Sequence, residues 1–132
     1  MLLTRASEYA LLSLDVLRKA DTPLGAEQIA NELSIPKSFL AKILQSLAKH
    51  EILESKKGAH GGFILSKPME KISVNDIIFA AEGKTPAVFD CISYSDTCPN
   101  GAIGTCAISP FIANFQTKID DFLNGLMLSD IL

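Results

Sequence analysis

Residues Ile35 to Ser66 read IPKSFLAKILQSLAKHEILESKKGAHGGFILS, and this stretch decides the fold. Its first half carries apolar residues at three- and four-residue spacing, which predicts an amphipathic helix from about Pro36 to Lys49. Pro36 suits the first turn of a helix, where its missing N–H costs no hydrogen bond. The apolar stripe consists of Phe39, Leu40, Ile43, Leu44 and Leu47. The remaining faces carry Lys37, Ser38, Ala41, Lys42, Gln45, Ser46 and Lys49. One face can therefore pack while another meets phosphates and bases.

A shorter helix precedes this one. The segment that starts at Gly25 predicts a helix of about eight to ten residues with Ile29 and Leu33 turned inward. Only the brief turn Ser34-Ile35 separates the two helices. Two short helices across a tight turn form a helix-turn-helix.

The second half of the stretch predicts a β-hairpin. Two short strand-like runs, one from Ile52 and one from Phe63, flank the glycine-rich segment Gly58-Ala-His-Gly-Gly. A hairpin directly after a helix-turn-helix is a wing, whose tip can enter a minor groove. We therefore predict a mainly α fold with a small β-hairpin wing, that is, a winged helix-turn-helix, followed by a long C-terminal dimerisation helix.

Charge is concentrated in the same stretch. From Pro36 to Lys67 there are six lysines against Glu51 and Glu54, a balance of +4 within a chain of net charge −3. A local basic patch is typical of a DNA-binding face, whereas a pI near 5.3 argues against non-specific coating of nucleic acid. The alternative is that these lysines only solvate the outer face of a small helical domain.

The first and fourth helices are predicted from their caps. Thr4 is the expected N-cap of the first helix, whose buried face we assign to Tyr9, Leu12 and Val16. Ser73 resembles the start of a capping box, and Gly83 closes the helix that it opens. Val74, Ile77, Ile78 and Ala81 supply the apolar side of that helix.

A final helix is predicted to start at Pro110. Its apolar residues recur at three- and four-residue spacing: Phe111, Ile112, Phe115, Ile119, Phe122, Leu123 and Leu126. Asn114, Gln116, Lys118, Asp120 and Asp121 occupy the other faces. So many large apolar groups need a partner surface, so we expect a homodimer through this helix, with packing against its own winged helix as the alternative. Two-fold pairing would place two reading helices on a pseudo-palindromic double-stranded DNA operator.

These predictions divide the chain into four parts. They are a winged helix-turn-helix over 1–71, a linker helix over 72–84, a cysteine-bearing loop over 85–109, and the dimerisation helix with its tail over 110–132. Neither a run of 18 apolar residues nor a leader peptide is found, so we expect a cytoplasmic protein that does not interact with membranes.

All three cysteines lie in the predicted loop, with the spacing C-x6-C-x7-C from Cys91 through Cys98 to Cys106. An odd number of cysteines without a leader argues against a disulfide framework. Thiolates gathered at one point are stabilised by soft iron or zinc, but ordinary free thiols are an equal alternative. Oxygen donors for a fourth position are Asp90, Asp96, Ser109 and Glu8. A thiol enzyme is disfavoured because both histidines, His50 and His60, fall in the reading stretch.

Taken together, these segments resemble the family of small dimeric winged-helix regulators that includes the iron–sulfur regulator IscR and the nitric-oxide-sensitive repressor NsrR. The resemblance covers nearly the whole chain. It is carried by the opening from Leu3 to Leu11, the motifs Ser38-Phe-Leu and Ile43-Leu-Gln-Ser-Leu, the wing Lys57-Gly-Ala-His-Gly-Gly-Phe, the segment Ile77-Ile-Phe-Ala-Ala-Glu-Gly, the three cysteines and the closing Phe122-Leu.

The resemblance implies an iron–sulfur cluster, of the 2Fe-2S or 4Fe-4S type, held by Cys91, Cys98 and Cys106. Members use either a histidine shortly after the third cysteine or an acidic residue on the first helix as the fourth ligand. Ser109 stands where that histidine would be, so Glu8 is the leading candidate here. For DNA, the resemblance implies Lys37, Ser38, Phe39 and Lys42 at the major groove, with Lys57, His60 and Gly61 at the minor groove.

The function expected is transcriptional regulation, with no enzymatic activity. Binding to DNA would respond to nitric oxide, redox state or iron–sulfur status through the cluster. The alternative is a cluster-free winged-helix repressor that uses redox thiols, zinc or a partner protein as its signal.

Overall fold

The computed structural model describes residues 3–88 and 106–132. These residues form a mainly helical fold with one antiparallel hairpin, which confirms the predicted fold class. In chain order the elements are α1 (Arg5–Lys19), α2 (Ala26–Leu33), α3 (Lys37–Lys49), β1 (Leu53–Lys56), β2 (Gly62–Leu65), a 3-10 turn (Met69–Lys71), α4 (Val74–Glu82), α5 (Ser109–Gly125) and α6 (Leu128–Ile131). None of the described helices is long and apolar enough to span a membrane.

The helix-turn-helix forms around the apolar stripe of α3. Leu40, Leu44 and Leu47 are fully buried, and Ile29 of α2 is buried with them in the same core. The turn between the two helices places Ser34 in the left-handed region at φ 57°. Ile35 is buried directly after it, and its N–H bonds to the carbonyl of Ala30 at 2.9 Å. The turn is therefore closed by a backbone bond and an apolar anchor.

The hairpin is fixed to the helical core at its base. Leu53 pairs with Leu65, and Lys56 pairs with Gly62 next to the tip. Phe63 also exchanges two backbone hydrogen bonds with Leu24, of 2.7 and 3.2 Å, so the segment before α2 extends the hairpin. A Cβ on Gly62, at φ +151°, would lie 2.4 Å from the carbonyl carbon of Leu24, so only glycine permits this approach.

Helix α1 begins as predicted, and of the residues assigned to its buried face Val16 is buried and Tyr9 packs against the core. The Thr4 side chain accepts the N–H of Ala6, which confirms the N-cap. Leu12 is 41% exposed, so its assignment to the buried face was wrong. The inner face instead carries small residues that let neighbouring elements approach closely: Ser7, Ala10 and Ser13, followed by Leu14 and Leu17.

Helix α4 has both predicted caps. Ser73 accepts the N–H of Asp76 at 3.0 Å, and Gly83 adopts φ 74° at the C-terminal end. Ala80 is the fully buried alanine, whereas Ala81, which we had assigned to the apolar side, is only half-buried. The chain terminus returns to the start of this helix, because the N–H of Leu128 bonds to the carbonyl of Ile72 at 2.8 Å.

Helix α5 starts at Ser109, with Pro110 in its first turn. It packs on α4 through Leu123, which is buried in a cluster with Val74 and Ile78. Gln116, which the sequence pattern placed on an outer face, is buried at 8% exposure. The phenylalanines of α5, Phe111, Phe115 and Phe122, are exposed to solvent.

Candidate nucleic-acid interface and sensor segment

The first turns of α3 present an exposed polar surface. Lys37, Ser38 and Lys42 are exposed, on the side away from the buried leucines. Phe39 is 41% exposed and packs edge-on against Tyr9 of α1, with ring centroids 5.6 Å apart. An aromatic contact between helices thus holds the start of α3 in a fixed orientation.

The ion pairs on this surface are weak. The Nζ of Lys37 lies 3.4 Å from the carboxylate of Glu27, and both side chains are mostly exposed. An exposed pair of this kind contributes little, so a DNA phosphate can replace Glu27 at low cost. Lys42 has no ion-pair partner among the described residues. Both lysines are therefore available to phosphate.

The wing tip carries the other predicted contact residues. Lys57 and His60 are exposed, whereas Gly61 is half-buried. A Cβ on Gly61 would lie 2.3 Å from the carbonyl oxygen of Lys56, so this glycine is required for the tight turn. The turn is closed by the Gly61 N–H, which donates to the carbonyl of Gly58 at 3.0 Å. Lys57 and His60 are thereby presented together at the tip.

We call the predicted DNA-contact residues of α3 and of the wing tip the reading surface. It comprises Lys37, Ser38, Phe39, Lys42, Lys57, His60 and Gly61.

His50 lies in the predicted reading stretch but outside the set of residues that forms this surface. It lies at the C-terminal end of α3, where its ring Nδ1 is 2.8 Å from the carbonyl oxygen of Ser46. Its ring also packs edge-on against Phe79 of α4, at a centroid distance of 5.4 Å. His50 therefore connects α3 to α4.

Glu8, the candidate fourth ligand, lies on the exposed side of α1. Its carboxylate bonds to the guanidinium of Arg5 at 2.7 Å, one helical turn away, and its side chain is 49% exposed. It borders a shallow depression that Leu3 and Leu11 also line. The carboxylate is thus tied only to its own helix, and a metal would compete with an exposed ion pair.

Of the three cysteines, only Cys106 falls within the described residues. Its thiol is free and half-buried, and its carbonyl accepts the N–H of Ser109 at 3.2 Å where α5 begins. Cys91 and Cys98, together with Asp90 and Asp96, lie outside the described residues. Within residues 3–88 and 106–132, no group of three histidine, cysteine or acidic side chains is close enough to hold a metal. By donor type, the predicted ligands suit an iron–sulfur cluster, because iron accepts three thiolates and one carboxylate.

Glu82 is a central residue that the sequence analysis missed. Its Oε1 accepts the backbone N–H of Thr4 at 2.8 Å, the hydroxyl of Thr4 at 2.6 Å and the hydroxyl of buried Ser7 at 2.7 Å. Burial opposes its ionisation, but the hydrogen bonds from Thr4 and Ser7 outweigh that effect and hold the pKa of the Glu82 carboxyl below its usual value. The end of α4 is thus bonded to the start of α1.

Gln116 makes a comparable connection further along the chain. Its side-chain amide donates to the carbonyl of Pro86 and accepts the N–H of Val88, both at 2.8 Å. It also donates to Asp120 at 2.8 Å. The segment that leads toward Cys91 is therefore fixed to α5, the same helix that Cys106 precedes. The only sequence signal for Gln116 was the amphipathic pattern of α5, which wrongly predicted an exposed side chain.

A winged helix with an exposed cationic reading surface is typical of DNA-binding transcriptional regulators. A family model described as "Rrf2: Iron-dependent Transcriptional regulator" matches residues 3–132, so the chain belongs to the Rrf2 family. This confirms the family resemblance.

Curated relatives share the full length of the chain. A helix-turn-helix-type transcriptional regulator of Aquifex aeolicus is 31% identical and is covered over 92% of its own length. The regulator IscR of Sodalis glossinidius is 28% identical with 79% of its length covered, and the repressor NsrR of Streptomyces coelicolor is 27% identical with 88% covered. All three matches cover 100% of this chain.

Solved structures share the fold. A transcriptional regulator from Listeria innocua superposes with a TM-score of 0.76 at 25% identity, covering 97% of this chain and 83% of that one. CymR of Bacillus subtilis, described as its global cysteine regulator, gives a TM-score of 0.70 at 20% identity, with 98% and 94% covered.

Proposed function

We propose that this regulator binds a pseudo-palindromic double-stranded DNA operator as a homodimer. Helix α3 enters the major groove with Lys37, Ser38, Phe39 and Lys42, and the wing tip meets the minor groove with Lys57, His60 and Gly61. The observation that carries this proposal is the exposed, cationic start of α3 beside a wing whose tip also bears a lysine. The start of α3 and the wing tip can contact the same duplex, because a winged helix places a helix and a hairpin against adjacent grooves.

The homodimer would form through α5. Phe111, Phe115 and Phe122 follow one another at four- and seven-residue spacing, and their exposures are 61%, 37% and 62%. Phe111 and Phe115 stack with ring centroids 5.9 Å apart, which makes a continuous aromatic surface. Such a surface on a small domain favours a protein partner, and a second copy would supply the two-fold symmetry that a pseudo-palindrome requires.

The sensor would be an iron–sulfur cluster held by Cys91, Cys98, Cys106 and Glu8. When bound, a cluster of this kind supplies iron that changes oxidation state or reacts with nitric oxide. The match to a family described as iron-dependent and the likeness to IscR and NsrR support the assignment. The identity of the fourth ligand rests on Glu8 being exposed and tied only to Arg5.

The chain's own bonds provide a route from the cysteines to the reading surface. Gln116 fixes residues 86–88 to α5, and Glu82 fixes the end of α4 to the start of α1. Tyr9 of α1 then contacts Phe39 of α3. A displacement of the cysteine segment would therefore reach the reading surface through packed groups, and a coupling of about 1–3 kcal/mol would change DNA affinity about 5- to 150-fold.

One experiment tests both parts of the proposal. The protein is purified anaerobically, its iron, sulfide and visible absorbance are measured, and the loaded and metal-free forms are titrated against DNA from its own promoter region. We expect iron and sulfide in stoichiometric amounts, lost in Cys106→Ser, and different DNA affinities for the two forms. A colourless protein without iron would disprove the cluster, and absence of DNA retardation would disprove the operator.

A second candidate keeps the DNA-binding role without a cluster. The fold likeness to CymR supports considering it, because the family also has cluster-free members. In this case the cysteines act as redox thiols or hold zinc, or a partner protein carries the signal. Zinc in place of iron, or DNA binding that responds only to thiol oxidants, would select this candidate.

A further inference from the structure

The outer face of α3 contains two side chains to which the proposed function gives no role, Gln45 and Lys49. The buried face is set by Leu40, Ile43, Leu44 and Leu47. Directly opposite, Ser38, Lys42, Gln45 and Lys49 are exposed and succeed one another at spacings of three or four residues. Gln45 therefore lies in the middle of the face that would enter the major groove.

The amide of Gln45 is uncommitted, unlike several polar groups of the described residues. Lys37 pairs with Glu27, and the hydroxyl of Ser46 bonds to the carbonyl of Ala80. Of the other glutamines, Gln28 accepts the N–H of Gly25 at 2.8 Å and Gln116 is fully engaged. No hydrogen bond joins the side chain of Gln45 to any residue in the described ranges. It exposes one acceptor and two donors outward.

The bases that this face can read follow from its composition. Helix α3 contains no acidic residue that could accept the amino group of cytosine, and its side chains able to contact guanine are lysines rather than arginines. The two arginines of the chain, Arg5 and Arg18, lie on α1 and are each paired with an acid. A glutamine amide matches the N6 donor and N7 acceptor of adenine in the major groove. Lys42 and Lys49, on either side of Gln45, suit the phosphate backbone.

We infer that Gln45 is a specificity-determining residue that reads an adenine in each operator half-site through its N6 and N7 atoms. This inference rests on the proposed function, since it requires α3 to lie in the major groove. It adds to that proposal the base that the reading helix selects.

The test uses full-length protein and the half-site that it selects from random duplexes. Each adenine is replaced singly by 7-deazaadenine, which removes N7 but keeps Watson–Crick pairing and the N6 amino group. For the wild type we expect one adenine per half-site at which affinity falls roughly 5- to 150-fold. In Gln45→Met, which keeps the side-chain length without the amide, affinity for the unmodified site falls in the same range and the penalty at that adenine disappears.

A matched control separates base reading from general weakening. Asn31→Ala removes an exposed amide from α2, so any lost phosphate contact would lower the affinity for every duplex equally and leave the adenine penalty intact. A penalty that persists in Gln45→Met, or a site in which no adenine responds, would overturn the inference while leaving the proposed function standing. Failure of the wild type to select any duplex would overturn both.

Discussion

Individual side chains on the reading surface divide into those that carry charge and those that shape it. Lys42 has no ion-pair partner among the described residues and Lys57 stands at the wing tip, whereas Gly61 is needed because a Cβ would collide with the Lys56 carbonyl. Under the proposed function the lysines would set affinity through phosphate, while the glycine sets where the tip lies. Substitutions at the two kinds of residue should therefore have different signatures.

We expect Lys42→Ala and Lys57→Ala each to weaken operator binding and to reduce the slope of log affinity against log salt by about 1.8, because each lysine would contact one phosphate in each of the two half-sites. Fluorescence anisotropy titrations across a salt series measure both quantities. Lys71→Ala, in the 3-10 turn, serves as the charge-matched control. Equal slopes for Lys42→Ala and the wild type would show that α3 does not face the duplex.

Glu82 gives a prediction about acid stability. Its folded-state pKa is lowered, so its ionised form stabilises the fold; this contribution is fully present above the unfolded value near 4.5 and is lost as pH falls through the folded pKa. We expect Glu82→Gln to lower the free energy of unfolding at pH 7 by about 1–3 kcal/mol, because Ser7 and Thr4 lose a charged acceptor. Urea unfolding from pH 7 down to pH 3 should show the deficit narrowing as the pH falls.

The exposed Glu70→Gln is the control for that experiment, with an expected change close to zero. A Glu82→Gln deficit that stays constant down to pH 3 would mean that the pKa of the Glu82 carboxyl is the same in the folded and the unfolded protein.

At the scale of elements, the wing depends on how closely it approaches the segment before α2. Leu24 and Phe63 exchange two backbone hydrogen bonds there, and Gly62 fits only because it has no Cβ. The wing is thereby held by backbone contacts to the helix-turn-helix as well as by its own two strands. Its position relative to α3 is thus a property of the core.

We expect Gly62→Ala to lower the thermal unfolding midpoint and to weaken DNA binding together. A Cβ at φ +151° meets the backbone of Leu24, and both the strain and the displaced wing cost stability, by about 1–3 kcal/mol for the strained backbone alone. Differential scanning calorimetry and operator titration test this. Gly125→Ala, at the end of α5 with nothing within 4 Å of the added Cβ, should be neutral or slightly stabilising. Normal stability of Gly62→Ala would refute the close-approach argument.

At the scale of the whole molecule, the structure contains two sets of packing contacts, those of the buried core and those between α4 and α5. The buried core contains residues of the helix-turn-helix, the wing and α4. Helix α5 packs against α4 through Leu123, and its phenylalanines are exposed. The proposed dimer would place those phenylalanines between two copies. The described residues on either side of the proposed sensor segment also bond to α5, Val88 to Gln116 and Cys106 to Ser109. Dimerisation and sensing would thus share one helix.

We expect Phe122→Asp to convert the proposed dimer into a monomer, because a charge would be buried in the aromatic surface through which two α5 helices would pair. Sedimentation velocity measures the change, and operator affinity should fall with it since two half-sites are no longer linked. Thr117→Asp places the same charge on the opposite side of α5 and should leave the dimer intact. Dimerisation that survives Phe122→Asp would assign the partner surface elsewhere.

Much of the fold could be predicted from the chain alone because its signals are local. The stripe of α3, the caps at Thr4, Ser73 and Gly83, and the glycine-rich wing tip act over a few residues. The candidate reading residues came from the same local pattern and from the family resemblance. The face of α1 was misassigned at Leu12, because neighbouring leucines compete for one stripe and the choice depends on which helix packs against it.

What the sequence determined by itself was the winged helix-turn-helix, since hydrogen bonds within helices and hairpins and the period of apolar residues are settled by near neighbours. Only the tertiary structure decided where Glu82 and Gln116 bond. Glu82 reaches Thr4 across 78 residues, and Gln116 reaches Pro86 across 30. The partner of a polar side chain depends on which elements pack together in the core, and a local sequence pattern does not contain that information.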